Sequence, residues 1–155
     1  MLLDEGLRES YSDVRELLLH FRTRTNTEDI ETAIRTTLQK FEHQSGIHSE
    51  LDVSGQGLPL APDVQIQVMH VIQEALSNIR KHSKAGNVRV LVKQSPSWEF
   101  QVIDDGIGFE AGEDLIDSTH VGLSIMKERA MKIGAHLEVE ANKPNGAKIS
   151  LTLPA

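Results

Sequence analysis

A chain of 155 residues is one domain's worth and long enough to bury a core, and 39% hydrophobic with 25% charged residues is the usual range for a globular protein. The formal net charge of −7 excludes a general nucleic-acid binder, which needs a basic face, so no nucleic-acid partner is expected. With no cysteine there is neither a disulfide framework nor a thiolate metal site, and no apolar run or signal-peptide pattern suggests a membrane span or export within these residues.

Taken in chain order, residues 2–21 read as a helix with Leu3, Leu7, Val14, Leu17, Leu18 and Phe21 on one side, a near-heptad spacing suited to packing against another helix. Asn26-Thr27-Glu28-Asp29 is a break and a new helix start, with Thr27 as the expected N-cap. Ile30, Ala33, Ile34, Leu38 and Phe41 follow at helical spacing, and Gly46 ends the helix. Ile47–Val53 alternates as a strand, and a Gly/Pro-rich loop then leads to Pro62 at a helical first turn.

The helix that follows carries a core-facing stripe of Val64, Val68, Val71, Ile72, Ala75, Leu76 and Ile79. At about 100° per residue Glu74, Asn78 and Lys81 fall together just beside that stripe, where the helix leaves the core. Glu74 and Asn78 are one turn apart, on the order of 6 Å along the axis. An anionic oxygen and an amide oxygen near one point suit a hard cation with a phosphate chain. A solvated helix flank has the same pattern, so the pair alone does not decide.

Val88, Val90 and Val92 alternate in the next strand, Phe100 and Val102, with Trp98, in the one after it, and Ser95-Pro96-Ser97 turns between them. Asp104-Asp105-Gly106-Ile107-Gly108 closes that strand. Two glycines there let the backbone approach a flat ligand, and an ionised carboxylate accepts hydrogen bonds from an exocyclic amine; a tight acidic turn is the plain alternative. An acidic polar segment through Thr119 reads as a loop, followed by a helix over Val121–Ile133 opened by Gly122 and stopped by Gly134. A helix start presents free N–H groups to phosphate oxygens. Arg129 falls within the apolar stripe of that helix, which makes a structural guanidinium the expectation. Lys81 and His82 either complement the helix dipole or contact phosphates. A hairpin of His136–Glu140 and Lys148–Leu153 ends the chain. The order of elements describes an α/β sandwich, one mixed sheet with helices on one face.

QEALSNIRKHSKA (73–85), IDDGIGF (103–109) and HVGLSIMKERAMKIGAHLEVE (120–140) resemble, in order, the N box and the two glycine boxes of histidine-kinase ATP-binding domains. The resemblance covers about residues 1–153 and is strongest to the nitrate/nitrite sensor kinases. It implies the GHKL (Bergerat) α/β sandwich over residues 26–155, preceded by the C-terminal part of a dimerisation-hairpin helix over residues 1–25. It also implies ATP and Mg²⁺ as ligands. By resemblance Asn78 is the Mg²⁺-coordinating asparagine and Glu74 the N-box acid, a general base or water-positioning group. Asp104 is the carboxylate that reads the adenine amine, and Gly106 and Gly108 border adenine and lid. Gly122 and Leu123 mark the phosphate end, and Lys81 and His82 match positions near the nucleotide. The implied partners are a phosphoacceptor helix of the same kinase, a response regulator and a second copy in the parent protein, with this domain on the cytoplasmic side of an inner-membrane sensor.

Three departures stand against the family pattern. None of the seven histidines is followed by an acidic residue, so the phosphoacceptor is expected outside these residues. Only thirteen residues separate Gly108 from Gly122, too few for a long lid. Asn145-Gly146-Ala147 stands where many relatives have Gly-Gly-Thr, removing a threonine hydroxyl near the adenine pocket. Two alternatives are a GHKL serine kinase acting as an anti-sigma factor and a degenerate docking domain. The opening helix and HVGLSIMKERA favour the histidine kinase over the first; Glu74, Asn78 and the glycine turn argue against the second.

Overall fold

In the computed structural model the described residues are 29–55, 59–95, 97–107, 113–141 and 146–154, with side chains described from 121 onward in the last helix. The helix expected over 2–21, Thr27 and Gly108 lie outside them. Five strands form one mixed sheet in the order β1 (His48–Ser54), β2 (Asn87–Lys93), β3 (Glu99–Asp104), β5 (Ala147–Thr152), β4 (His136–Ala141). β1 and β2 pair in parallel and the other neighbours are antiparallel. Period-two alternation sets the faces: Val88, Val90, Val92, Phe100, Val102, Ile149 and Leu151 are buried on the inner one. His48, Glu50, Asp52, Arg89, Glu138 and Glu140 are exposed on the other.

Three helices supply the second layer: α1 (Ile30–Ser45), α2 (Pro62–Asn78) and α3 (Glu113–Lys132). Ile34 and Leu38 of α1, Val68, Ile72 and Ala75 of α2, and Met126 and Ala130 of α3 join the inner strand residues in one core. Asp29, not Thr27, caps α1: its Oδ1 accepts the Thr32 N–H at 2.8 Å, and these hydrogen bonds hold its carboxyl below the ordinary value. Gly46 closes the helix in the left-handed region, its N–H reaching the Glu42 carbonyl. Pro62 stands in the first turn of α2, as its fixed φ favours.

Two differences from the sequence reading bear on function. The central helix does not remain α-helical through His82: Ile79–Ser83 form a π-helical turn, ended by Lys84 in the left-handed region (φ 55°). The last helix begins at Glu113, eight residues before the expected Val121, so residues 113–119 are helix and not loop. Acidic composition suggested a loop there, yet acids in a first turn complement the helix dipole, and no proline interrupts Glu113–Lys132.

Topology fixes where these elements meet. A helix joining two parallel strands runs opposite to them, so α2 runs opposite to β1 and β2 and along β3. β3 and β4 both pair antiparallel to β5, hence α3, which joins them, runs opposite to β3 and to α2. The C-terminal end of α2, the end of β3 and the entry into α3 therefore gather at one end of the sheet.

Candidate functional site

At that end, β3 delivers a carboxylate into the core-facing register. Phe100, Val102 and Asp104 share the inner face, and all three are buried. A charged residue in a position that alternation reserves for apolar side chains is a sequence signal of function. The Asp104 carboxylate accepts the Gly106 N–H at 2.8 Å and the Ala147 N–H from the neighbouring strand. Burial nonetheless raises its pKa above the ordinary value, outweighing those two hydrogen bonds, and Asp105 adds to the rise. An ionised carboxylate offers about four acceptor sites, more than two backbone N–H groups use.

The adjacent Asp105 points the other way and builds the scaffold. Its Oδ1 accepts the N–H groups of Gly86 and Asn87, both at 2.9 Å, and its Oδ2 accepts from Asn87 Nδ2 at 2.8 Å. The Asn87 side-chain contact, then the backbone ones, hold its carboxyl below the ordinary value. On the far side of the turn the Ile107 N–H donates to the Ser83 carbonyl at 2.7 Å. The segment from Ser83 to Asn87, which leads from the π turn into β2, thus grips residues 105–107 on both flanks. Sequence reading missed Ser83, Asn87 and the role of Asp105; an Asp-Asp pair before glycine was the available hint.

Glycine is required here by crowding. A Cβ on Gly106 would overlap the Ser83 carbonyl, and the Ser83 Cβ would be 2.8 Å away. A Cβ on Gly146 would fall on the Asp104 carbonyl oxygen, so Gly146, just before β5, also seats against this strand end.

Asn78, the last residue of α2, is half-buried against α3. A Cβ on Gly122 would lie 2.8 Å from its Oδ1 and closer still to its Nδ2. Gly122 therefore makes room for the amide. It does not open a helix: it lies nine positions after Glu113, so its N–H and that of Leu123 sit inside the helical ladder. The expectation of free helix-start N–H groups at Gly122 is corrected accordingly. Leu123 is half-buried and packs on the core.

Glu74 is half-buried one turn before Asn78. Lys81 is exposed and His82 half-buried, both within the π turn. A π turn takes more residues per revolution than an α turn, so Lys81 lags the face of Asn78 on which an α-helical count put it. Arg129 is half-buried in α3 and is not without a partner. Five residues separate Asn78 from Ser83, roughly 7 Å of helix. The amide and the glycine turn that follows Asp104 are thus attached to one stretch of helix.

Residues 63–155 match the family described as histidine kinase-, DNA gyrase B-, and HSP90-like ATPase. The chain belongs to this family. It is 31% identical over 150 residues to the nitrate/nitrite sensor protein NarQ of Escherichia coli, covering 96% of this chain and 26% of that protein. The sensor histidine kinase LiaS of Bacillus subtilis is 32% identical over 148 residues, covering 94% of this chain and 40% of that one. The chain thus spans well under half the length of these sensor proteins. Its fold matches the blue-light activated histidine kinase of Erythrobacter litoralis with a TM-score of 0.70 at 17% identity, over 91% of this chain and 52% of that one. It also matches the ATP binding domain of PrrB from Mycobacterium tuberculosis, with a TM-score of 0.57 at 22% identity over 79% of this chain and 93% of that one. The chain is a histidine-kinase-type ATPase domain on a mixed five-stranded sheet. Among the described residues no helix is long and apolar enough to cross a membrane.

Proposed function

We propose that this domain binds Mg·ATP and donates the γ-phosphoryl group to a histidine on a dimerisation helix of its parent sensor kinase. From there a response regulator takes it up, with nitrate or nitrite as the signal that the NarQ relationship suggests. The reading is carried by one observation: a buried carboxylate at the end of β3 and a half-buried amide at the end of α2 share one end of the sheet, joined through Ser83. In this reading Asp104 accepts the adenine amino group, and the glycine turn with Gly106, and Gly108 beyond it, lets the base lie close to the backbone. Asn78 and Glu74 present oxygens toward the phosphates. Mg²⁺ takes oxygen ligands and commonly shares them between one or two side chains and the phosphates, which suits this pair. The metal neutralises phosphate charge when bound.

The protein's own work is positioning, which supplies most of the catalysis in phosphoryl transfer. Asn78 is held in place by Gly122, and Asp104 by the Gly106 and Ala147 N–H groups. Glu74 acts as the general base or positions a water. Lys81 and His82, on the π turn that follows Asn78, are the candidate cations for contact with the phosphates. The missing threonine hydroxyl at Ala147 lowers affinity without removing the site, because the contact to Asp104 is a backbone one.

A calorimetric titration with a non-hydrolysable ATP analogue, with and without Mg²⁺, tests this on the wild-type chain, Asn78→Asp and Asp104→Ala. Asp104→Ala is expected to lose affinity under both conditions, and Asn78→Asp to lose chiefly the gain from Mg²⁺. Binding unaffected by both substitutions refutes the assignment. Mixing the chain with a phosphoacceptor-helix fragment, and separately with a serine-bearing antagonist, distinguishes a histidine kinase from a serine kinase.

A further inference from the structure

The π turn ends on a residue that touches both halves of the site. Ser83 is 8% exposed. Its Oγ donates to the Ile79 carbonyl at 2.8 Å and accepts the Ala85 N–H at 3.1 Å. Its carbonyl accepts the Ile107 N–H at 2.7 Å, and Gly106 packs on that same carbonyl. One side chain thus ties the wide helical turn to itself while the backbone of the same residue fixes the glycine turn.

We infer that Ser83 is a positioning residue for nucleotide binding: its hydroxyl holds the π turn open so that its carbonyl can anchor the turn after Asp104 at a set distance from Asn78. The inference rests on the proposed nucleotide site and adds how its two ends are kept in register. π turns occur mostly as single turns inside α-helices and are frequent at functional sites. The Ser83 hydroxyl opposes closure of this one. It occupies the Ile79 carbonyl, the acceptor that the tighter α register would assign to the Ser83 N–H, and it caps the Ala85 N–H where the chain departs. Without it the buried Ile79 carbonyl and the half-buried Ala85 N–H each lose a partner, the turn tightens, and the Ser83 carbonyl withdraws from Ile107. A ligand that must touch Asp104 at one end and Asn78 at the other senses that change as a mismatch in span. A ligand held at the base end alone does not.

The test compares the wild-type chain with Ser83→Ala and Ser83→Thr, which restores the hydroxyl. Two readouts are used: exchange of the Ile107 amide with solvent in the nucleotide-free protein, and the affinity for ADP with and without Mg²⁺. Ser83→Ala is expected to lose Ile107 protection and to bind Mg·ADP about tenfold more weakly, the loss without Mg²⁺ being smaller. Ser83→Thr should restore both to within about twofold while all three proteins melt cooperatively. The inference is overturned if Ser83→Ala binds Mg·ADP like the wild type, if the loss is equal with and without Mg²⁺, or if Ser83→Thr is as weak as Ser83→Ala. Absence of ADP binding in the wild-type chain, with Ile107 protection lost in Ser83→Ala as expected, instead overturns the nucleotide reading beneath it.

Discussion

Replacing Asp104 with Asn keeps the shape of the side chain and separates its two duties. Asn Oδ1 can still accept the Gly106 N–H that the carboxylate Oδ1 engages. With that oxygen held by the backbone, Nδ2 faces the ligand, and a donor meets the donor of the adenine amine. Loss of a hydrogen bond to a charged acceptor is worth about 1.5–3 kcal/mol, and the facing donors left unsatisfied add about 1–3 kcal/mol. The sum, about 2.5–6 kcal/mol, corresponds to an ATP affinity weaker by roughly 10² to 10⁴-fold. A base with a carbonyl at the same position, such as guanine, presents an acceptor to Nδ2, so the preference between ATP and GTP should move toward GTP.

Stability should move in the opposite direction from affinity. The pKa of Asp104 is raised in the folded state, so the native protein binds that proton more tightly than the unfolded chain and ionisation opposes folding. That penalty is absent below the unfolded value near 3.8 and accumulates as pH rises through the elevated folded value. Asp104→Asn should therefore melt above the wild type at pH 7 and alongside it near pH 3.5, while calorimetry shows ATP binding all but lost. An ATP affinity within threefold of wild type, or a variant less stable at pH 7, refutes the reasoning. Exchange of stability for function at one buried polar group is the pattern expected of a binding site.

Other substitutions probe the remaining contacts. Gly122→Ala should gain about 1 kcal/mol of helix propensity yet displace the Asn78 amide, so its melting temperature should hardly fall while the Mg²⁺-dependent gain in nucleotide affinity drops; a full Mg²⁺ response would show that Asn78 is not a ligand. Gly106→Ala meets a backbone carbonyl that cannot swing away and should lose about 1–3 kcal/mol of stability, visible as a lower denaturant midpoint. Asp105→Asn should destabilise at pH 7, because a depressed carboxylate pKa contributes stability above its unfolded value of 3.8. The difference should shrink as pH falls through the depressed folded value, and a pH-independent difference would mean that charge has no part in the Gly86–Asn87 strap.

Much of this fold was legible because its elements have clean periods. Val88, Val90 and Val92 alternate without interruption, and the apolar stripe from Val68 to Ile79 holds helical spacing, so sheet and central helix follow directly. The positions of Glu74 and Asn78 beside the apolar stripe of α2, and of Asp104 at the end of β3, were equally legible, the first two from helical spacing and the third from the glycine turn that follows it. Less visible was anything that depends on a contact between distant segments. The π turn cannot be counted from IRKHS, since its cause is the Ser83 hydroxyl and the anchor at Ile107, twenty-four positions on. The early start of α3 was hidden for a different reason: acidic residues suit a helical first turn as well as a loop, and composition does not choose between them.

The glycines of the two boxes show what the motif encodes. Gly106 and Gly122 are not among the residues with positive φ, so backbone conformation is not why they are glycine. In each case the place of a Cβ is already taken by another part of the site: the Ser83 carbonyl at Gly106, the Asn78 amide at Gly122. Gly146 has the left-handed backbone as well, at φ 98°, and there the Asp104 carbonyl occupies the space. The three positions are the seams where the end of α2, the end of β3, the start of β5 and α3 meet. Read this way, the spacing of the boxes along the chain records which segments must touch for the carboxylate and the amide to share one end of the sheet. A side chain at any seam separates a pair of those segments, and at Gly106 or Gly122 it moves one of the two polar groups relative to the other.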